Sequence, residues 1–144
     1  MEINILAVVV CVVVAQVLGF LWYGPIFGKS YMAVIGGKKR EEMSDKECKE
    51  MDKQMRPVYV LNIIVSIVTI LVLSCVLRQY MVMDAVEGVK IALLMWLGFI
   101  MPLAAMNAMW SGKPKKLAWN LFLITAGYQL VTFVIFGIVL GLWM

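Results

Sequence analysis

The 144-residue sequence contains no histidine, and only 15% of its residues are charged. Without histidine there is no His-ligated zinc, no histidine-ligated haem and no Ser-His or Cys-His nucleophile pair. The three cysteines, Cys11, Cys48 and Cys75, form no Cys-x-x-Cys motif, and their odd number does not suit a disulfide framework. Soluble domains usually carry about 25% charged residues. The low charge content therefore excludes an ordinary soluble protein.

Long apolar segments dominate the chain instead. Hydrophobic residues make up 63% of it, and the mean hydropathy is +0.92. A membrane-spanning helix needs about 20 predominantly apolar residues. The sequence therefore predicts an all-α, polytopic membrane protein whose single domain, residues 1–144, has four transmembrane helices at residues 3–23, 57–77, 86–109 and 117–143.

Lysine and arginine are distributed very unevenly. Of the 13 basic residues, all except Arg78 and Lys90 lie between residues 24 and 57 or in the turn at residues 110–116. Four spans place these two loops on the same side, and basic loops face the cytoplasm. We therefore expect loops 24–56 and 110–116 to be cytoplasmic and both termini to lie outside the plasma (inner) membrane. The cluster Lys38-Lys39-Arg40 suits anionic lipid headgroups better than nucleic acid.

The loop at residues 24–56 has helical signals of its own. Pro25 suits a first helical turn, and Gly36-Gly37 ends the apolar pattern that follows it, which predicts a short helix in the membrane interface. Ser44 and Glu47 have the spacing of a capping box. A narrow apolar stripe then predicts a second, amphipathic helix that either rests on the membrane or docks a partner protein; its residues are Cys48, Met51 and Met55.

Neutral polar residues take the place of ionisable ones inside the spans. Apart from residues flanking the loops, no acid or base lies there, which argues against a proton relay or an ion-coupled carrier. Two interpretations remain open: hydrogen bonds between helices, or a pocket that is open to the cytoplasm. The candidate residues, most of them in the half next to the basic loop, are Gln16, Asn62, Ser66, Asn107, Asn120, Thr125 and Gln129.

Small residues indicate where the helices meet. Gly137 and Gly141 form a GxxxG motif on the same broad face of span four as Gly127, and small residues allow helices to approach closely. One face of this span would pack within the protomer and another against a second subunit, so we expect a homo-oligomer. Pro102 should kink span three, with Gly98 four residues earlier where the proline ring presses on the backbone.

The two halves of the chain share a short motif. Leu18-Gly19-Phe20 matches Leu97-Gly98-Phe99, and a proline follows each, at Pro25 and Pro102. Because each half is a two-span hairpin, a duplication would give parallel repeats.

Twelve methionines raise the question of a soft metal. Met81 and Met83 lie near Cys75, and thioethers and thiols select Cu(I). Methionine is also a flexible filler of apolar packing. Because histidine and paired cysteines are both missing, we expect no metal and no other cofactor.

Several motifs together resemble a known family of small integral membrane proteins, domain of unknown function 1761. They are Leu21-Trp22-Tyr23-Gly24-Pro25, Phe27-Gly28-Lys29, Trp96-Leu97-Gly98-Phe99, Asn107, Gly112-Lys113-Pro114-Lys115, Gly127-Tyr128 and the segment from Gly137 to Trp143. The resemblance implies four spans and no assigned activity. Many members carry an acid before the Gly-Tyr pair and a histidine after it, whereas this chain has Thr125 and Gln129 around it. The boundary residues Trp22, Tyr23, Pro25, Phe27, Gly28 and Lys29 either anchor the chain in the interface or border the pocket.

The function expected from these patterns is binding or passage of a small neutral molecule or lipid through a polar pocket in the cytoplasmic half, without ion coupling. The alternative is a non-catalytic scaffold or accessory subunit whose loop at residues 24–56 docks a partner. We expect no enzymatic activity, because the chain lacks histidine, intramembrane acids and any catalytic motif. The expected partners are membrane lipids, a small-molecule or lipid ligand and further copies of the chain.

Overall fold

The computed structural model describes residues 3–36 and 40–143, and it is 88% helical. The described residues form no strand, so the prediction of an all-α fold is confirmed. Two π-helical segments interrupt the α-helices, the first at Trp22–Ile26 and the second at Trp96–Ile100. The α-helices of the described chain are α1 (Ile5–Leu21), α2 (Gly28–Ile35), α3 (Asp45–Gln79), α4 (Ala85–Met95), α5 (Met101–Met109) and α6 (Lys115–Leu142).

Four stretches are long and apolar enough to cross a membrane: Ile5–Ile26, Asp45–Gln79, Ala85–Met109 and Lys115–Leu142. Large apolar side chains point away from the bundle on these helices; Phe20 is 76% exposed and Phe99 67%. Apolar side chains exposed along the whole length of a helix suit contact with lipid. The prediction of four membrane-spanning helices is confirmed.

The two ends of the described chain meet at one end of the bundle. The side-chain amide of Asn4 donates a hydrogen bond to the carbonyl oxygen of Trp143 at 3.0 Å, across almost the full length of the sequence. The turn at residues 80–84, which joins α3 to α4, lies at this same end because it follows the second of four antiparallel spans. We call it the terminal end. The opposite end, which carries residues 24–36, residues 40–44 and the turn at 110–114, is the basic end.

The packed core lies in the terminal half of the bundle. Cys11 and Ile70 are fully buried there, and Phe136 is 2% exposed. The remaining members of this core are Ala7, Ala15, Leu73, Leu77, Val82, Ala92, Phe133 and Leu140. Among the described residues, the other buried apolar side chains are Val34, Ala108, Ile124 and Ala126. The helices are therefore tightly packed at the terminal end and more open toward the basic end.

Helix α3 is longer than the sequence suggests. The capping box predicted at Ser44 and Glu47 is confirmed, but the helix that starts there continues through Pro57 to Gln79. Its 35 residues extend about 52 Å at 1.5 Å per residue. A proline removes one backbone donor and frees the carbonyl four residues earlier, here that of Lys53. Both residues are exposed, so the freed carbonyl is accessible to water and the helix does not have to end.

The short helix predicted after Pro25 is present as α2. It ends at Gly36, whose φ of 71° is left-handed, as expected for a glycine that closes a helix. Pro25 itself lies inside the first π-helical segment and not in the first turn of α2. Gly37, Lys38 and Lys39, which belong to the predicted helix stop and basic cluster, lie outside the described residues.

Glycines bring α4 and α6 together. A Cβ atom added to Gly137 would lie 2.7 Å from the carbonyl oxygen of Gly88, and one added to Gly141 would lie 2.6 Å from that of Asp84. Real Cβ atoms do not approach this closely, so only glycine permits this backbone-to-backbone contact. The GxxxG motif is therefore used within the protomer, against α4.

Candidate functional site

Two tryptophans fix the π-helical segments to α6. The indole Nε1 of Trp22 donates to the carbonyl oxygen of Ile124 at 3.0 Å, and that of Trp96 donates to the carbonyl oxygen of Ala126 at 3.1 Å. Each tryptophan is the first residue of its π-helical segment. Segments of this kind are frequent at functional sites. Helix α6 is thus held from both halves of the chain at carbonyls two residues apart.

Aromatic rings cover the junction of α1, α2 and α6. The ring centroids of Trp22 and Phe27 are 4.7 Å apart. The ring centroid of Tyr23 lies 4.8 Å from that of Tyr31 and 5.4 Å from that of Tyr128. We call these five residues the aromatic cluster. Its rings contact one another and α6, so Trp22, Tyr23 and Phe27 pack against protein, whereas Pro25 and Lys29 are exposed.

Two glycines make room for the aromatic cluster. A Cβ atom at Gly127 would lie 3.1 Å from the Trp22 ring, and one at Gly19 would lie 3.2 Å from the Tyr128 hydroxyl oxygen. That hydroxyl donates to the carbonyl oxygen of Ala15 at 3.0 Å. The bond also sets the relative depth of the two helices, because it places Ala15 and Tyr128 at one level of the bundle.

Three of the predicted pocket residues are hydrogen-bonded to each other between α1 and α3. The amide Nδ2 of Asn62 donates to Gln16 Oε1 at 3.0 Å, and Gln16 Nε2 donates to the hydroxyl of Ser66 at 3.3 Å. The Ser66 hydroxyl in turn donates to the carbonyl oxygen of Asn62 at 2.8 Å. Gln16 and Ser66 are half-buried and Asn62 is exposed. These residues form a bridge between two helices, which is the first of the two interpretations that the sequence allows.

The polar face of α6 is arranged differently. The hydroxyl of Thr125 donates to the carbonyl oxygen of Leu121 at 2.8 Å, and the hydroxyl of Thr132 donates to that of Tyr128, also at 2.8 Å. Both threonines are therefore satisfied by their own helix. Gln129 lies on the same face between them and is half-buried, but its amide has no hydrogen bond to any residue within 3–36 or 40–143.

Gln129 lies where the packed core ends. Thr132 and Phe136, which follow it on the same face toward the terminal end, are buried, whereas Thr125, toward the basic end, is half-buried. The Tyr128–Ala15 bond places Gln129 at about the depth of Gln16. The amide oxygen and nitrogen of Gln129 both keep exposed surface, so a ligand or water can reach them.

The remaining predicted polar residues, Asn107 and Asn120, are not close to Gln16 or Gln129. Asn107 is exposed on α5, and Asn120 is half-buried in the first turns of α6. In the described part of the chain neither amide forms a hydrogen bond. The structure therefore brings together Gln16, Asn62 and Ser66, keeps Gln129 at their depth on another helix, and separates the other two.

Other predicted residues have packing or surface positions. A Cβ atom at Gly28 would lie 2.9 Å from the carbonyl oxygen of Tyr23, so a glycine is needed for this close approach. Lys29 is exposed at the start of α2. Gly98 has open space around its Cβ position, and Pro102 lies in the first turn of α5, directly after the second π-helical segment. The irregularity in span three therefore precedes the proline, as its missing donor requires.

The two Leu-Gly-Phe motifs are not equivalent in the structure. Gly19 lies within α1 against the Tyr128 hydroxyl, whereas Gly98 lies in a π-helical segment with no atom near its Cβ position. The elements that do correspond are the segments that start at Trp22 and Trp96, since each indole donates to α6.

Sequence reasoning overlooked Gly88, which is buried against Gly137. The available signal was the small-residue pair Gly88 and Ala92, four residues apart on α4. For the methionines, Met81 and Met83 are 79% and 85% exposed in the turn after α3, and Cys75 is half-buried.

A comparison with protein-family models identifies the family of the chain. The model of the family described as Protein of unknown function (DUF1761) matches residues 6–141. The chain belongs to this family. Comparison with curated proteins and with solved structures gives no match. Membership of this family establishes common descent but assigns no activity.

Proposed function

We propose that this DUF1761 protein binds a small neutral molecule or a lipid headgroup at Gln129, in the half of the bundle next to the basic end. Binding there requires neither ion coupling nor catalysis. The observation that carries the proposal is that Gln129 is a half-buried residue whose amide keeps exposed surface and has no hydrogen-bond partner in residues 3–36 or 40–143. An amide at this depth in a bilayer needs a polar partner, and a ligand or water that enters from the basic end would supply one.

The neighbouring polar groups support a ligand rather than a bond between helices. Thr125 and Thr132 donate to carbonyls of α6, and Gln16 is engaged by Asn62 and Ser66. These groups therefore already have hydrogen-bond partners. The amide of Gln129 can offer a ligand two N–H donors and one carbonyl acceptor. A neutral ligand is favoured because no acid or base lies in α6 after Lys116, its second residue.

Binding is favoured over passage by the core beyond Gln129. Thr132 is 4% exposed and Phe136 is 2% exposed, and both follow Gln129 toward the terminal end on the same face. Passage would require these side chains to separate. We further propose that the basic end faces the cytoplasm of the plasma membrane, since it carries most of the lysine and arginine.

Cysteine reactivity tests whether Gln129 is accessible to water. A thiol reacts with N-ethylmaleimide as a thiolate, which forms only where water reaches it. In a Cys48→Ser, Cys75→Ser background we expect Gln129→Cys to be modified readily in membranes. Thr132→Cys, one turn further on the same face, should be modified far more slowly because that position is buried. Equal, slow modification of the two thiols would show that no polar pocket reaches Gln129.

A second measurement concerns occupancy. Extracts of the purified wild-type protein should contain a bound small molecule or lipid that is absent after Gln129→Leu. The control is Gln79→Leu, which removes an exposed glutamine at the end of α3 and should leave the bound molecule in place. If both variants retain it equally, Gln129 does not bind it.

Orientation is tested separately with a membrane-impermeant thiol reagent on sealed cells. Lys46→Cys, which is exposed near the start of α3, should be protected in intact cells and become reactive when the membrane is opened. Labelling of Lys46→Cys in intact cells would place the basic end outside.

The alternative, a scaffold whose residues 24–56 dock a partner, has less support. In the predicted apolar stripe, Cys48 and Met51 are already half-buried and only Met55 is exposed. A stripe that the protein itself partly covers offers little apolar surface for a partner.

A further inference from the structure

An open groove lies on the membrane-facing side of α4 and α6, far from Gln129. It has a volume of about 270 Å³ and is lined by Ala85, Val86, Val89, Lys90 and Ile138. The lining atoms are apolar, so Lys90 contributes the aliphatic part of its side chain. The groove belongs to the terminal end, because α4 starts there.

The groove follows from the glycine contact between the two helices. Gly88 and Gly137 bring the backbones so close that no side chain fits between them. The larger side chains beside this contact, Val89 on α4 and Ile138 on α6, then form the walls of the groove, which runs along the outside of the contact between the two helices. Val86 and Ile138 are 62% and 39% exposed, so no other part of the described chain covers it.

Lys90 gives the groove a charged end. It lies five residues after Ala85, the first residue of α4, so its Cα is about 8 Å into the helix. The side chain is exposed and forms no ion pair with any acid in residues 3–36 or 40–143. A lysine at this depth extends its ammonium group toward the headgroup region and leaves its methylene groups along apolar surface.

The two acids nearest to Lys90 in sequence, Asp84 and Glu87, do not line the groove. Asp84 accepts a hydrogen bond from the backbone N–H of Glu87 at 2.8 Å and so caps the start of α4. Glu87 is exposed but is not among the residues that line the groove. The ammonium group of Lys90 is therefore the charge that a molecule in the groove would meet.

We propose that this groove binds an anionic glycerophospholipid, with one acyl chain along Val86, Val89 and Ile138 and the phosphate at the ammonium group of Lys90. Charge complementarity selects the headgroup, because the groove offers one cation and no anion. The apolar walls bind the chain without selecting its structure. This site is independent of the proposed ligand at Gln129, since it opens to lipid on the outer face of the bundle.

Native mass spectrometry of the full-length, delipidated protein tests the proposal. The protein is titrated with phosphatidylglycerol, and in a parallel experiment with phosphatidylethanolamine. We expect phosphatidylglycerol to bind more tightly, and Lys90→Gln to weaken its binding about five-fold. The control Lys46→Gln, which removes an exposed lysine from α3, should leave the affinity unchanged. Equal affinity of wild type and Lys90→Gln for phosphatidylglycerol would overturn the proposal.

A second variant tests the groove itself. Ile138→Trp places a large apolar side chain at a partly exposed position and should fill the groove, so that both lipids bind more weakly. Ile64→Trp makes the same change at a 51% exposed position on α3 and should have no effect. Circular dichroism establishes that each variant is folded. If folded Ile138→Trp binds phosphatidylglycerol like wild type, the lipid lies elsewhere and the proposal is wrong.

Discussion

Gly88 and Gly137 bring α4 and α6 into direct backbone contact, since a Cβ atom on either glycine would overlap the backbone of the other helix. This contact joins the second half of the chain into one unit. It also buries both glycines of the GxxxG motif inside the protomer, so they are not available to a second copy of the chain.

Replacing Gly137 with alanine should destabilise the protein. The added methyl group would meet the Gly88 carbonyl oxygen at 2.7 Å, and this overpacking should cost about 1–3 kcal/mol of unfolding free energy. Denaturation by sodium dodecyl sulfate in mixed micelles measures the change. Gly98→Ala is the matched control, because its Cβ position is open and the change should stay within about 0.5 kcal/mol. Similar losses in the two variants would mean that the α4–α6 contact does not have this geometry.

The tryptophan bonds to α6 predict a second pair of effects. Trp22→Phe and Trp96→Phe each remove an indole donor from a half-buried position and should lower the unfolding free energy by about 1 kcal/mol or more. Trp119→Phe should have little effect, since that side chain is 62% exposed and donates no hydrogen bond to the described residues. Thermal unfolding in detergent provides the comparison. An unchanged melting temperature for Trp22→Phe would contradict a bond to Ile124.

The bridge between α1 and α3 can be measured by a double-mutant cycle. Gln16→Leu and Ser66→Ala should each destabilise the protein, and the double variant should lose less than the sum. The expected coupling is about 0.6 kcal/mol, typical of hydrogen bonds between membrane helices. A parallel cycle between Gln16 and Thr69, whose hydroxyl bonds to Val65 at 2.9 Å, should give no coupling. Strictly additive effects for Gln16 and Ser66 would argue against the bridge.

The capping box should act on the start of α3 alone. Ser44→Ala removes the acceptor for the Glu47 backbone N–H and should cost about 1 kcal/mol locally. Hydrogen exchange should become faster at residues 45–48 and stay the same in the membrane-spanning part of α3. Ser30→Ala, at an exposed serine in α2, serves as control. Faster exchange along the whole helix would show that α3 unfolds as one unit.

The sequence made the membrane class and the number of spans predictable, because lipid requires about 20 apolar residues in each helix. It also located the capping box at Ser44, since that motif is local. The course of α3 through Pro57 was not predictable in this way. A proline ends a helix or only weakens it according to whether the freed carbonyl finds water, and that depends on exposure in the folded protein.

For the candidate site, the sequence predicted a set of neutral polar residues but could not predict their hydrogen-bond partners. Gln16, Ser66 and Gln129 are all neutral and polar, and each lies within a predicted span and away from its ends. Only the fold distinguishes them, since two of these side chains bond to each other across α1 and α3 while Gln129 on α6 has no partner among the described residues.

Hydropathy, charge placement and local motifs thus determined the class of protein, its four spans and its basic end, because each depends on residues close together in the chain. The tertiary structure decided which glycines meet, which carbonyls the indoles of Trp22 and Trp96 reach, and which polar side chains bond to one another. These properties depend on residues distant in sequence, since Trp22 and Ile124 are 102 positions apart. Helix packing brings such residues together, and no local pattern encodes it.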